Sequence, residues 1–149
     1  MRALVATVLC LCPVGHAVLT ADDKKSDSDL FQGTWEVVKL EQTGQDLAEV
    51  VKALEPTMAF EKNTYTFTLG ENVEKGKFTL DPKAKVPTVD YDITEGEQKG
   101  KKQVGIYKLD GDTLVLCLSE EGADARPTKF KTAADAPEYV MFTLKRKKK

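Results

Sequence analysis

The chain lacks most of the side chains on which metal and nucleophilic catalysis run. Its 149 residues hold one histidine, His16, and three cysteines, Cys10, Cys12 and Cys117. Of these, only Cys117 lies beyond the first 21 residues, which read as a secretory signal peptide. Arg2 is the positive start, Ala3 to Leu11 is the apolar run with Cys12 at its edge, and Pro13 and Gly15 break it. Such a run is too short to cross a bilayer as a helix. Small residues favour cleavage after Ala17 or after Ala21. Leucine precedes both Cys10 and Cys12, where a lipid-attachment signal carries a small residue, so the lipoprotein reading is the weaker one.

The expected mature chain therefore has no histidine and a single thiol. That excludes an intramolecular disulfide, a Ser-His-Asp triad, a His or paired-Cys metal site and His-ligated haem. The formal net charge is −2. Removing the leader takes away only Arg2, which leaves a mildly acidic chain with no overall nucleic-acid signal. No later apolar run is long enough to span a membrane, and no internal repeat is visible. No cofactor or metal is implied.

What is present is a succession of short alternating runs. Residues 22–29 (DDKKSDSD) read as a polar linker, and 30–149 as one domain. The first strand is Thr34 to Glu41, with Trp35 and Val37 on one side of the pleat and Val38 and Leu40 on the other. One helix follows, Asp46 to Leu54. Asp46 is placed as its N-cap, Glu49 completes a capping box, and Leu47, Val50, Val51 and Leu54 form one apolar stripe. Pro56 ends it. Strands are then expected at Thr57–Glu61, around Tyr65, Phe67 and Leu69, at Val73–Leu80, Thr88–Glu95, Gln103–Leu109, Thr113–Ser119, Thr128–Thr132 and Tyr139–Lys145. Hairpin spacing without helical crossovers predicts an all-β fold, an up-and-down antiparallel barrel of about eight strands with one short helix after strand one.

Gly33-Thr34-Trp35 at the head of strand one, with Arg146 closing the last strand, resembles the lipocalin-type barrel signature. In that arrangement Gly33 gives a tight start, the Trp35 indole plugs one end and the Arg146 guanidinium stacks on it. Longer stretches carry a second resemblance: Leu30–Val38, Glu74–Pro82, Ile93–Lys101, Gly105–Leu114 and Arg126–Phe130. Together they are similar to an uncharacterised secreted, lipocalin-like domain family expanded in planctomycete bacteria. The resemblance implies a barrel and an extracytoplasmic (periplasmic or secreted) habitat. It implies no activity.

Candidate sites are each weighed against a structural role. Trp35, Tyr65, Phe67, Phe78, Tyr91, Tyr107, Phe130 and Tyr139 are candidate lining of a barrel pocket, or simply its filling. Gly33, Trp35 and Arg146 are the structural plug. Asp90 and Asp92, with Glu95 and Glu97 nearby, resemble a hard-cation or acid/base cluster, against the solvent face of a strand. Asp110-Gly111-Asp112 is read as a type I′ hairpin turn. The 95–102 loop (EGEQKGKK) is charge-dense and lacks P-loop spacing. Cys117 reads as a buried small hydrophobe, and the basic run Lys145 to Lys149 as a solvated tail. Two functions compete: a monomeric carrier of a small hydrophobic ligand, with the Asp46–Leu54 helix as a lid, or a non-catalytic envelope protein with a filled barrel. An enzyme using carboxylates and tyrosines alone is the third reading.

Overall fold

A computed structural model describes residues 25–135 and 139–148. The leader and its cleavage sites lie outside the described residues. Among the described residues nine strands follow one another in a single antiparallel sheet: β1 (Gly33–Gln42), β2 (Gln45–Asp46), β3 (Thr57–Glu61), β4 (Thr64–Leu69), β5 (Asn72–Asp81), β6 (Thr88–Glu95), β7 (Lys102–Asp110), β8 (Thr113–Ser119) and β9 (Tyr139–Arg146). Each long strand pairs with the next, and β1 also pairs with β9. That last pairing closes an eight-stranded, lipocalin-like up-and-down barrel, to which the two-residue β2 is an appendage on β1. Closure leaves the long strands no free edge.

Alternation decides which side chains point inward. In β6, Val89, Tyr91 and Ile93 are buried while Asp90, Asp92 and Thr94 are exposed, as a period of two requires. Strand β1 departs from simple alternation. Its register with β9 shifts between Val37 and Lys39, so Val38 bulges out and is half exposed. The extra residue changes the phase, and Leu40 joins Trp35 and Val37 inside instead of sharing a face with Val38.

Other departures are local. Asp46 does not cap the helix. Thr43 and Gly44 both take positive φ, +52° and +73°, and make a tight turn that pairs Gln45 and Asp46 back onto β1. The helix α2 therefore starts later, at Ala48–Leu54, with Leu47 at its N-cap and no side-chain cap. Its Leu47, Val50 and Val51 pack partly buried against the core, while Leu54 is largely exposed. No strand forms at 128–132: β8 already has β7 and β9 as neighbours, so the barrel closes without this segment. The β7–β8 turn centres on Gly111-Asp112, and only Gly111 has positive φ, so it is not the type I′ geometry expected.

The polar run read as a linker carries a helix over its last residues. Helix α1 is Asp27–Phe31, and Ser26 and Asp29 cap it reciprocally: the Ser26 hydroxyl accepts from Asp29 N–H, and the Asp29 carboxylate accepts from Ser26 N–H. Phe31, fully buried, enters the barrel beneath it.

Candidate functional site: a barrel closed at one end and hollow at the other

The two ends of the barrel differ. At the first, the start of β1 meets the end of β9. Gly33 sits at φ +109°, and the space a Cβ would take lies 3.5 Å from Arg146 Nη1. The Trp35 indole is fully buried, its Nε1–H donating to the Phe31 carbonyl at 2.8 Å. The Arg146 guanidinium lies 4.2 Å from the indole ring centroid. It also donates to the Gln32 carbonyl at 2.7 Å, to the Leu30 carbonyl at 2.5 Å, and to Asp112 at 3.2 Å. The last carbonyls of α1 are thus satisfied by the plug itself.

Phe31 completes the seal. Its ring meets Phe60 edge-on at 5.1 Å, Tyr107 edge-on at 5.0 Å and Phe78 in a stack at 5.9 Å. The Tyr107 hydroxyl donates to Asp27 at 2.6 Å, which ties α1 down from its other end. Helix α1 covers this end of the barrel, a role the sequence reading did not give it. Trp35, Phe78 and Tyr107 are therefore core at the closed end, and of the three only Tyr107 also edges a groove, beside Asp27 and Pro87.

The opposite end is hollow. A cavity of about 240 Å³ lies between the end of β1, the start of β3, the end of β4, the start of β5 and the adjoining parts of β6 to β9. Of the candidate lining residues, Tyr65, Phe67 and Tyr91 stand in its wall, together with Leu40, Met58 and Phe142. Tyr65 and Tyr91 meet edge-on at 4.6 Å, and Phe67 and Phe142 edge-on at 5.7 Å. Gly76 permits the first of these pairs. A Cβ there would lie 2.7 Å from Tyr65 Cε1 and would collide with the Asp92 carbonyl, so only glycine lets the ring lie against β5.

Two of the candidate lining residues fall elsewhere. Phe130 is 36% exposed, in a loop that edges a separate groove beside Lys85 and Pro87. Tyr139 pairs with Ser119 at the start of β9 and does not line the cavity. No residue of α2 lines it; Leu54 packs near Gly70, at the β4–β5 turn.

The polar side chains of the cavity were not among the candidates. Glu74, Glu120 and Glu121 stand in its wall and mouth, with Gln42 and Gln103. The Tyr65 hydroxyl donates to Glu74 Oε1 at 2.8 Å. Burial raises the Glu74 carboxyl above its usual value; the Tyr65 hydrogen bond opposes this and the Glu121 charge adds to it. Burial, reinforced by Glu74, also pushes the Tyr65 phenol upward, so it stays a neutral donor. Tyr91 is fully buried, and its hydroxyl donates to the Met58 sulfur at 4.0 Å, a weak acceptor. One signal pointed to Glu74: it stands two residues before Gly76 and four before Phe78, in the inward phase of β5.

The remaining candidates are structural. Asp90 pairs with Arg126 at 2.6 Å, Asp92 with Lys102 at 3.3 Å and Glu95 with Lys75 at 3.0 Å, all on the outer surface. Arg126 also donates to the Gly105 and Val89 carbonyls at 2.8 and 3.3 Å, pinning the 120–127 loop to β6 and β7. Cys117 is fully buried, and burial raises its thiol pKa, away from the reactive thiolate. Among the described residues no group of three His, Cys, Asp or Glu side chains is placed to hold a metal ion, and no helix is long and apolar enough to cross a membrane.

No family model and no curated protein matches the chain. Among solved structures it is similar to human cRBP IV, with 17% identity, 78% of this chain and 97% of that chain covered, and a TM-score of 0.37.

Proposed function

We propose that this protein is a non-enzymatic binding module that holds one small molecule in the hollow end of its barrel. The cavity carries the reading. A barrel of eight strands can fill itself with side chains; this one does so around Phe31 and Trp35 and stops short at Tyr65 and Tyr91. At about 240 Å³ the space lies just below the usual range for drug-sized ligands, about 300–1,000 Å³. It suits a compact ligand with an apolar body against Phe67, Tyr91 and Phe142 and a polar group at the carboxylates. The setting that goes with it is extracytoplasmic, as the leader and the planctomycete family resemblance imply.

Native mass spectrometry of protein recovered from its native source tests this. The expected result is a reproducible 1:1 adduct that disappears on denaturation and is missing in Val140→Trp, which fills the cavity mouth. An adduct of equal abundance in wild type and variant would place the ligand outside the cavity and overturn the reading.

A further inference from the structure

Resting on the reading of the cavity as a ligand site, we propose that its ligand is a small organic cation, an alkyl- or arylalkyl-ammonium, taken up with its charge among Glu74, Glu120 and Glu121. Three observations converge on this chemistry.

The first is the sign of the charge. Among the described residues, every ionisable side chain lining the cavity other than the tyrosines is a carboxylic acid; no lysine, arginine or histidine is among them. Among the described residues, Glu74, Glu120 and Glu121 enter no salt bridge, while Asp90, Asp92 and Glu95 on the outer surface each have one. The cavity also adjoins a groove of about 560 Å³ that shares Glu74 and Glu121 and adds Glu71 and Glu97. A cation entering the cavity or this groove meets carboxylates on both linings, although the Lys101 side chain lies beside Gly122 nearby; concave low-dielectric walls concentrate the field.

The second is the wall. Tyr65, Phe67, Tyr91 and Phe142 present aromatic surface to the same space as the carboxylates. An ammonium group gains from aromatic faces as well as from carboxylates, whereas a fatty carboxylate or a phosphate loses at both. The third is the Tyr91 hydroxyl. It is fully buried, lines the cavity and, among the described residues, hydrogen-bonds only to a thioether 4.0 Å away. Its oxygen lone pairs are open to an N–H donor from a ligand. A divalent metal fits less well, because no three of the acidic groups among the described residues come close enough to share one.

Calorimetric titration with three probes of similar shape separates the possibilities: 2-phenylethylammonium, neutral 3-phenylpropan-1-ol and 3-phenylpropanoate. The cation is expected to bind about tenfold more tightly than the neutral probe, and the anion more weakly than either. Added salt weakens only the cation, and Glu74→Gln with Glu121→Gln brings its affinity down to that of the neutral probe. The amide oxygen introduced by Glu74→Gln keeps an acceptor for the Tyr65 hydroxyl, so the double variant is expected to fold. If the neutral or anionic probe binds as tightly as the cation, the charge assignment fails and the cavity remains a ligand site. If none of the three binds at millimolar concentration, both fail.

Discussion

Removing the Trp35 indole tests whether the closed end is a structural plug. Trp35 is fully buried, and a tryptophan of this kind buries about 150–250 Å². At about 25 cal/mol per Å² that is roughly 4–6 kcal/mol of transfer free energy. Partial collapse around the truncated side chain brings the expected loss for Trp35→Ala to about 3–5 kcal/mol. Arg146→Ala removes two hydrogen bonds to the Leu30 and Gln32 carbonyls and the stacking on the indole, for a loss of about 3 kcal/mol. The two losses are coupled, because the cation–π contact disappears in either variant. The double variant should therefore fall short of the sum by about 1 kcal/mol. Urea unfolding followed by far-ultraviolet circular dichroism is the appropriate assay, since Trp35 is the only tryptophan and its fluorescence is lost with it. A loss below about 1 kcal/mol for Trp35→Ala, or additivity within about 0.3 kcal/mol, would refute the plug.

Two further outcomes are expected. Gly76→Ala places a methyl group against Tyr65 and the Asp92 carbonyl; overpacking of this kind costs about 1–3 kcal/mol, and an unchanged melting curve would contradict the close approach. Glu74→Gln alters the pH dependence of stability. The folded protein holds the Glu74 proton more tightly than the unfolded chain does, because burial raises its pKa above 4.5. Its contribution is therefore full below the unfolded value and is lost as pH rises through the raised folded value. Wild type minus variant should thus decline as pH increases above about 4.5 in equilibrium unfolding, and a pH-independent difference would show that Glu74 is not desolvated.

The sequence is most legible where one rule governs an element. Thr57–Glu61, Thr88–Glu95 and Thr113–Ser119 form strands with the expected bounds, because alternation and turn residues agree there. It is least legible where two local rules compete. Asp46 has the chemistry of an N-cap, yet the Thr43-Gly44 turn reaches it first and draws it into a strand pair. Ser26 and Asp29 form a capping box inside a charge run that otherwise reads as linker, and the helix holds because Phe31 finds Phe60, Phe78 and Tyr107 around it. Phe31 is adjacent to the plug signature in sequence, but which end of the barrel it seals depends on pairings more than 100 residues apart. The same limit applied to the aromatic residues. Tyr65, Phe78, Tyr91 and Tyr107 are alike as candidate lining in the sequence, and only the closed topology divides them between a filled end and a hollow one.

The division between those ends is open to direct measurement by methyl-resolved NMR during titration with toluene, a neutral probe small enough for the cavity. Saturable shifts are expected at Met58, Leu118 and Val140, which line the hollow end, with Leu114 and Leu144 in the closed core unmoved. Saturable shifts at Leu114 and Leu144, or none at the cavity methyls, would contradict a barrel sealed by α1 at one end and open to a ligand at the other.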